Sequence, residues 1–253
     1  IEFGGDTTGA EALTVDEITY SFPVGGFTVM VGDNNDASAL FTTACVYGTP
    51  SDTLDACGNV NAAVDNGGVM AGASYDFGNG FTFATGIASD ENDVLNDEGV
   101  DAYGFNAAYT DDTFGFSVTY GALEDGVAVN DNFETDTYVA FNAYYSPEAA
   151  GLPSLSVGYE IGEDASVVGD NDGLSNFFVG ASWAEFGPGE LGIGMGTRVT
   201  TVEDTDEQYM YEAYYSYPIN DGMTITPLIF VQEQSAANTD DTTGIMVKTS
   251  FSF

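Results

Sequence analysis

Apolar residues occupy every second position along most of this chain, and this spacing restricts the fold more than any other feature of the sequence. Small or polar residues separate the apolar ones throughout 103–109, and the same spacing returns at 114–120, 139–145 and 191–196. Successive side chains of a β-strand point to opposite faces of a sheet. Each segment is therefore predicted to be a strand with one apolar face and one face of small or polar residues.

Thirteen such segments, together with a short stub at 1–5, predict an all-β chain of about fourteen strands, with sixteen as the alternative count. Single-chain bacterial outer-membrane barrels contain even numbers of antiparallel strands. An even count is therefore what a closed up-and-down barrel requires. The thirteen segments are 14–22, 25–32, 69–77, 80–88, 101–110, 113–121, 136–145, 154–161, 175–184, 190–198, 208–217, 222–231 and 244–253.

The connections between these segments alternate between short and long. Outer-membrane barrels have short periplasmic turns at one rim and long extracellular loops at the other. We therefore predict one domain, 1–253, folded as a transmembrane antiparallel up-and-down β-barrel with that asymmetry. The short connections are Pro23-Val24, Gly78-Asn79, Asp111-Asp112, 147–153, 185–189 and Asn220-Asp221, and the long ones are 33–68, 89–100, 122–135, 162–174, 199–207 and 232–243.

The apolar face of these strands suits lipid better than a soluble core. It is rich in Tyr and Phe near strand ends, as in the aromatic girdles of membrane barrels, whereas the other face offers Asn, Ser, Thr, Gly and acids. Parity places both cations on the polar face, which is consistent with the cost of roughly 2–4 kcal/mol for Lys or Arg at the bilayer midplane. The charged residues that this parity points into the lumen are Glu17, Asp76, Glu160, Glu212, Arg198 and Lys248.

The charge of the chain excludes several classes of function. There are 2 Lys and Arg residues against 41 Asp and Glu residues, which gives a formal net charge of −39, and there is no His. Nucleic acid is excluded as a partner, because contacts with phosphates need Lys and Arg. A Ser-His-Asp relay is excluded by the lack of His. We therefore predict that the chain is not an enzyme and that it requires no cofactor.

The connection 33–67 is the first candidate functional segment, because loops of this length are usually functional or disordered. We predict that it folds into the pore and narrows it, with Gly192, Gly194 and Gly196 as a smooth wall beneath it. An extracellular cap, or a latch over a neighbouring subunit, is the alternative. Cys45 and Cys57 lie in this segment, 12 positions apart. We predict a disulfide between them, and two free thiols are the alternative.

Acidic residues form the second group of candidates. Clustered carboxylates suit calcium or magnesium, although no segment has the spacing of a calcium-binding loop. A solvated, mutually repelling rim is the alternative. The negative field of the chain, together with the lumen acids, predicts a preference for cations, and ordinary polar interior positions with a mild effect are the alternative there. The rim residues predicted as divalent-cation ligands are Asp90, Glu91, Asp93, Asp97 and Glu98.

Two stretches carry a resemblance to a known family. The segment 244–253 resembles the C-terminal strand of outer-membrane proteins, which ends in Phe, here Phe253, and is read by the barrel-assembly machinery. The segment 17–32 resembles a strand-turn-strand unit of cyanobacterial porins, which are similar to the carbohydrate-selective porin family. The resemblance implies a homotrimeric pore in the outer membrane, in contact with its lipid and lipopolysaccharide. It covers the barrel part only, because the S-layer-homology domain of that family has no counterpart in these 253 residues.

The sequence as a whole thus predicts an outer-membrane porin, a passive diffusion channel for small hydrophilic solutes and inorganic ions, with a preference for cations. Two other classes of protein remain open. One is a plugged outer-membrane barrel that acts as an adhesin, a receptor or a structural cell-envelope protein. The other is a soluble or surface-layer acidic β-protein. Electrical conductance separates the channel from the first, and the need for detergent separates it from the second.

Overall fold

A computed structural model describes residues 2–5, 13–51, 54–64, 68–89, 101–124, 135–163, 173–198, 200–203, 205–234 and 240–252. Every regular element in these ranges is a β-strand. The strands are β1 Glu2–Gly5, β2 Leu13–Val24, β3 Phe27–Asn35, β4 Gly68–Asp76, β5 Phe81–Ser89, β6 Asp101–Thr110, β7 Phe114–Glu124, β8 Thr135–Tyr145, β9 Ser154–Glu163, β10 Gly173–Phe186, β11 Gly189–Thr197, β12 Thr201–Val202, β13 Tyr209–Asn220, β14 Met223–Gln232 and β15 Thr242–Phe251.

The strands form one sheet in which neighbours in sequence pair antiparallel, in the order β1 to β15, with β12 beside the path. The fourteen strands of this path are the number that the alternation predicts, and the short and long connections alternate as expected. The predicted fold class is confirmed by this up-and-down order. No helix able to span a bilayer is present in the described part of the chain.

One stretch departs from the prediction. The strand predicted at 190–198 ends at Thr197, because β10 pairs with β11 only up to Phe178 and pairs with the unpredicted β12 at Leu174 and Ser175. The alternation at 191–196 places Leu191, Ile193 and Met195 on the apolar face and predicts Thr197 there too. It is buried instead, and its hydroxyl donates to Asn176 Oδ1 at 3.1 Å. The strict alternation stops where this pairing changes.

The two faces of the sheet differ sharply in exposure. On β6, Phe105 is 46% exposed whereas its neighbour Asn106 is 1% exposed. The exposed face is apolar along most strands, an arrangement that a soluble protein rarely tolerates over a large area. Aromatic pairs flank the short turns on this face, with ring centroids 4.9 Å apart for Phe27 and Tyr75 and 4.7 Å apart for Phe81 and Tyr109. We call the opposite side the buried face.

Candidate functional site: a loop packed on the buried face

The connection between β3 and β4 lies against the buried face where it is described, and we call its residues 36–51 and 54–64 the inner loop. Polar side chains of the wall bind its backbone as a neighbouring strand would. The amide of Asn106 accepts from Thr42 N at 2.9 Å and donates to Thr42 O at 3.1 Å. Farther along, Ser117 Oγ accepts from Ala44 N at 2.9 Å. Side chains of the strands thus satisfy the backbone groups of a long irregular segment.

Glycines allow the inner loop to approach the wall closely. A Cβ built on Gly86 would lie 1.8 Å from Ala37 O, and one on Gly158 would lie 1.8 Å from Cys57 O. On β11, a Cβ on Gly194 would lie 2.7 Å from the Tyr47 hydroxyl and one on Gly196 would lie 3.1 Å from Leu54 Cδ2, whereas one on Gly192 would meet Tyr214 of β13. No side chain fits in these gaps, so the backbones meet where glycine permits it.

The predicted disulfide is present and closes the middle of the inner loop. Cys45 and Cys57 are joined, with their Cα atoms 6.5 Å apart. Cys57 has a φ of 52° and Gly58 a φ of 75°, so the chain makes a tight left-handed turn at the bridge. The Cys57 carbonyl exposed by this turn accepts from Asn142 Nδ2 at 2.7 Å. The disulfide therefore stiffens the part of the loop that binds β8 and β9.

Glu160 on β9 anchors the far end of the inner loop. Its carboxylate is 1% exposed. Oε2 accepts from the backbone N of Asn61 at 2.9 Å and of Ala62 at 2.7 Å. Oε1 accepts from the side-chain amides of Asn61 at 2.7 Å and Asn176 at 3.0 Å. A buried carboxylate needs such donors to offset its lost hydration, so this charge holds loop and wall together.

Glu212 on β13 forms a second anchor. It accepts from the Tyr47 hydroxyl at 2.9 Å and from Ser51 Oγ at 2.5 Å. Burial raises the pKa of the Tyr47 hydroxyl above its ordinary value, and the nearby Glu212 carboxylate raises it further. The ring of Tyr47 packs between Phe178 and Tyr214, with centroid distances of 5.1 and 5.6 Å. Tyr47 is thus held by apolar contacts at its ring and by the carboxylate at its hydroxyl.

The inner loop covers only one side of the buried face. On β6 to β10 the wall residues beneath it are almost completely buried, as Asn106 and Glu160 show. On β2, β3 and β15 some residues of the same parity are exposed, including Ser21, Thr28 and Lys248, whereas Met30 and Met246 pack against clusters that contain inner-loop residues. The strands near the two ends of the sheet, β2, β3 and β15, are therefore partly open to solvent. We call these strands the open wall.

A cavity of about 380 Å³ lies between the inner loop and the open wall. It contains one carboxylate, Glu190, and one ammonium, Lys248, with hydroxyl groups around them. Glu190 was not predicted as a site residue, and Tyr214 donates its hydroxyl to Glu190 Oε1 at 2.7 Å. The residues that line the cavity and bear hydroxyls are Thr49, Tyr214, Ser216, Thr224, Thr226 and Ser250.

The remaining predicted site residues lie apart from this loop. Glu17 is half-buried on β2, with the parity of the open wall. Asp76 is exposed at the end of β4, where it accepts from Gly78 N at 2.7 Å. Arg198 lies past the end of β11 and donates from Nη2 to Gln208 Oε1 at 2.9 Å. The structure thus brings Glu160 and Glu212 to the inner loop and Lys248 to the cavity, and leaves these three elsewhere.

The other predictions fall on residues that the structure does not describe. The five acids of the rim lie within 90–100, and Phe253 is also outside the described residues. Within the described ranges, no group of three acidic or cysteine side chains is arranged to hold a metal ion. The rim sites and the contact through Phe253 therefore stay predictions.

Sequence reasoning missed the asparagines that bind the inner loop. Asn106, Asn142 and Asn176 occupy the buried face of β6, β8 and β10 and are at most 3% exposed. Asparagine is depleted in strands, so its return with the same parity on alternate strands is a signal that a close reading could have used. Their partners could not be deduced, because the bonds to Thr42 and Cys57 span 64 and 85 positions.

Comparison with known proteins gives matches of structure rather than of sequence. No family description and no curated sequence matches the chain. The anion-selective porin of Comamonas acidovorans has a TM-score of 0.71 at 17% identity, over 97% of this chain and 80% of that one. The high-pH structure of Pseudomonas putida OprB has a TM-score of 0.64 at 13% identity, over 95% of this chain and 73% of that one.

A mutant of the Rhodopseudomonas blastica porin gives a TM-score of 0.58 at 16% identity, over 98% of this chain and 81% of that one. These three proteins share the fold with this chain across nearly its whole length. Such low identities establish the fold and leave substrates open. The chain has the fold of the bacterial porins.

Proposed function

We propose that the chain is an outer-membrane porin through which small hydrophilic solutes and inorganic ions diffuse passively. The observation that carries this proposal is the uneven cover of the buried face. The inner loop is bound along β6 to β13, whereas Ser21, Thr28 and Lys248 on the open wall are exposed to solvent. A polar wall that stays hydrated inside an apolar exterior is what a diffusion channel requires. The inner loop would set the size limit by occupying the other half of the lumen.

We further propose that the channel favours cations. The formal net charge of −39 creates a field that concentrates cations near the pore mouths. Among the lumen acids, Glu160 and Glu212 are bound by the inner loop and act on ions only through that field. Glu190 and Lys248 line the cavity and would act on ions directly. The similar porin from Comamonas acidovorans is anion-selective, so the fold alone does not set the preference. The proposal of cation preference therefore rests on the charges of this chain.

The location and partners of the protein are part of the same proposal. The apolar exposed face and the aromatic pairs at the short turns suit an outer membrane with its lipid and lipopolysaccharide. A homotrimer, assembly through Phe253, a cyanobacterial source and selectivity for carbohydrates follow from the family resemblance of 17–32 and 244–253. Calcium or magnesium at 90–98 would bridge acidic groups of the rim.

Planar-bilayer recording in a salt gradient tests the channel and its selectivity together. We expect stepwise current increases and a reversal potential with the sign of cation preference. A chain that needs detergent yet gives no steps at any salt concentration would be a plugged barrel, such as an adhesin or receptor. Steps with anion preference would keep the channel and refute the proposed role of its negative field. Monodisperse behaviour without detergent would overturn the membrane assignment.

A further inference from the structure

The cavity beside the open wall contains a row of polar side chains that runs across four neighbouring strands. Glu190 on β11 pairs in register with Ser216 on β13. Ser216 Oγ accepts from Thr226 Oγ1 on β14 at 3.1 Å, and Thr226 pairs in register with Lys248 on β15. A carboxylate and an ammonium therefore lie at the two ends of one row across the sheet, with two hydroxyls between them.

The register fixes the distance between the backbones of Glu190 and Lys248. Three strand spacings of about 4.8 Å each separate β11 from β15, or about 14 Å along the wall. With their backbones this far apart, Glu190 and Lys248 do not form a direct ion pair. The two side chains are long, so their charged groups can lie closer together than their backbones do. Both side chains line the 380 Å³ cavity, which occupies the remaining space. That volume is at the lower end of the roughly 300–1,000 Å³ of small-molecule sites.

A solute that carries both charges can meet each end of this row with the opposite charge, which a simple ion cannot do. Glu190 and the net charge of −39 both repel an anion, and Lys248 repels a cation. A solute with one ammonium and one carboxylate has no net charge, so its entry does little work against the field of the protein. Its two ends match the two side chains, and a polar centre finds the hydroxyls of Ser216 and Thr226.

We propose that this row is a binding subsite for small zwitterionic solutes of about dipeptide size, held with the carboxylate toward Lys248 and the ammonium toward Glu190. The proposal rests on the diffusion function and names a solute class for it. The Tyr214 hydroxyl, which donates to Glu190 Oε1 at 2.7 Å, keeps that carboxylate in place. The inner loop closes the other side of the subsite with Val46, Gly48, Thr49 and Pro50.

Swelling of liposomes that contain the full chain measures solute entry and tests the subsite. The probes are glycylglycine and N-acetylglycinamide, which share a peptide group and differ in that only the first carries charges. The variant Lys248→Met with Glu190→Gln removes one charge of each sign, so the net charge of the protein is unchanged. We expect the swelling rate with glycylglycine, divided by the rate with N-acetylglycinamide, to fall at least about threefold, as the loss of two partly exposed charge contacts implies.

A second variant separates the subsite from a general effect on the pore. Lys248→Glu with Glu190→Lys exchanges the two charges, and a zwitterion can turn around to meet them. We expect this exchange to restore the ratio toward that of the unsubstituted chain. An equal ratio of swelling rates for all three proteins, with swelling of the liposomes in each case, would overturn the subsite and leave the channel intact. No swelling with either probe in any of them would overturn the diffusion function itself.

Discussion

The carbonyl oxygen of Cys57 lies in the space where a side chain on Gly158 would begin, since a Cβ built on that glycine would be 1.8 Å from the oxygen. Asn142 Nδ2 donates to the same carbonyl at 2.7 Å. This contact places the disulfide-closed part of the inner loop directly on β9. The glycine on the strand and the left-handed turn at Cys57 therefore form one arrangement, although 101 positions separate them in the sequence.

Substitution of Gly158 by Ala is expected to displace the inner loop at Cys57. The added methyl group overlaps the carbonyl, and overpacking of this kind typically costs about 1–3 kcal/mol. The midpoint of thermal unfolding should fall accordingly. Gly48→Ala is the matched control, because a Cβ there meets nothing within 4 Å. Equal midpoints for both variants would mean that the loop does not rest on β9.

The Glu160 anchor is tested by Glu160→Gln, which keeps the shape of the side chain and replaces an acceptor oxygen by a donor. The amide of Gln has a single acceptor oxygen, so it cannot accept from Asn61 and Ala62 at one oxygen and from the Asn61 and Asn176 side chains at the other. A hydrogen bond to a charged group contributes roughly 1.5–3 kcal/mol, and we expect a loss of about 3 kcal/mol in unfolding free energy. Glu163→Gln, at an exposed position of the same strand, should change it little. Similar losses in the two variants would contradict an anchoring role for Glu160.

Removal of the disulfide is expected to loosen the inner loop. A bridge that closes a loop of this size stabilises a protein by about 3 kcal/mol. In Cys45→Ser with Cys57→Ser, we expect a lower unfolding midpoint and greater current noise in single-channel recordings. Reductant should do the same to the unsubstituted chain and leave the double variant unaffected. Unaltered noise after reduction would place the loop outside the conducting path.

The Tyr47 anchor is expected to weaken in alkaline solution. The pKa of this hydroxyl is raised above its ordinary value of 10.0 by burial and by Glu212. Its neutral form is therefore favoured in the folded state, and the stability that it contributes is complete below pH 10.0 and declines as the pH rises above that value. The unfolding free energy should fall less steeply above pH 10.0 in Tyr47→Phe. Parallel curves for the two proteins would refute this coupling.

The strands could be predicted from the sequence and the path of the inner loop could not, for a physical reason. Alternation assigns each strand residue to a face without knowledge of its partners, so Glu160, Glu212 and Lys248 were placed on the polar face from parity alone. The loop has no period. Its course depends on hydrogen bonds such as those of Asn106 to Thr42 and of Glu160 to Ala62, which join residues 64 and 98 positions apart in the sequence. Glu190 is the first residue of the predicted strand 190–198 and has the polar-face parity of Gly192, so the same rule could have placed it there.

The central claim is that the open passage runs past Lys248 and that the inner loop covers the wall opposite. Lys248→Cys tests it, because the described cysteines of the native chain are joined and leave no free thiol. The measurement is single-channel current before and after addition of a cationic methanethiosulfonate reagent. We predict a stepwise fall for Lys248→Cys and no change for Ser117→Cys beneath the loop or for Val247→Cys on the exposed face. An unchanged current for Lys248→Cys with a block of Ser117→Cys would contradict the account.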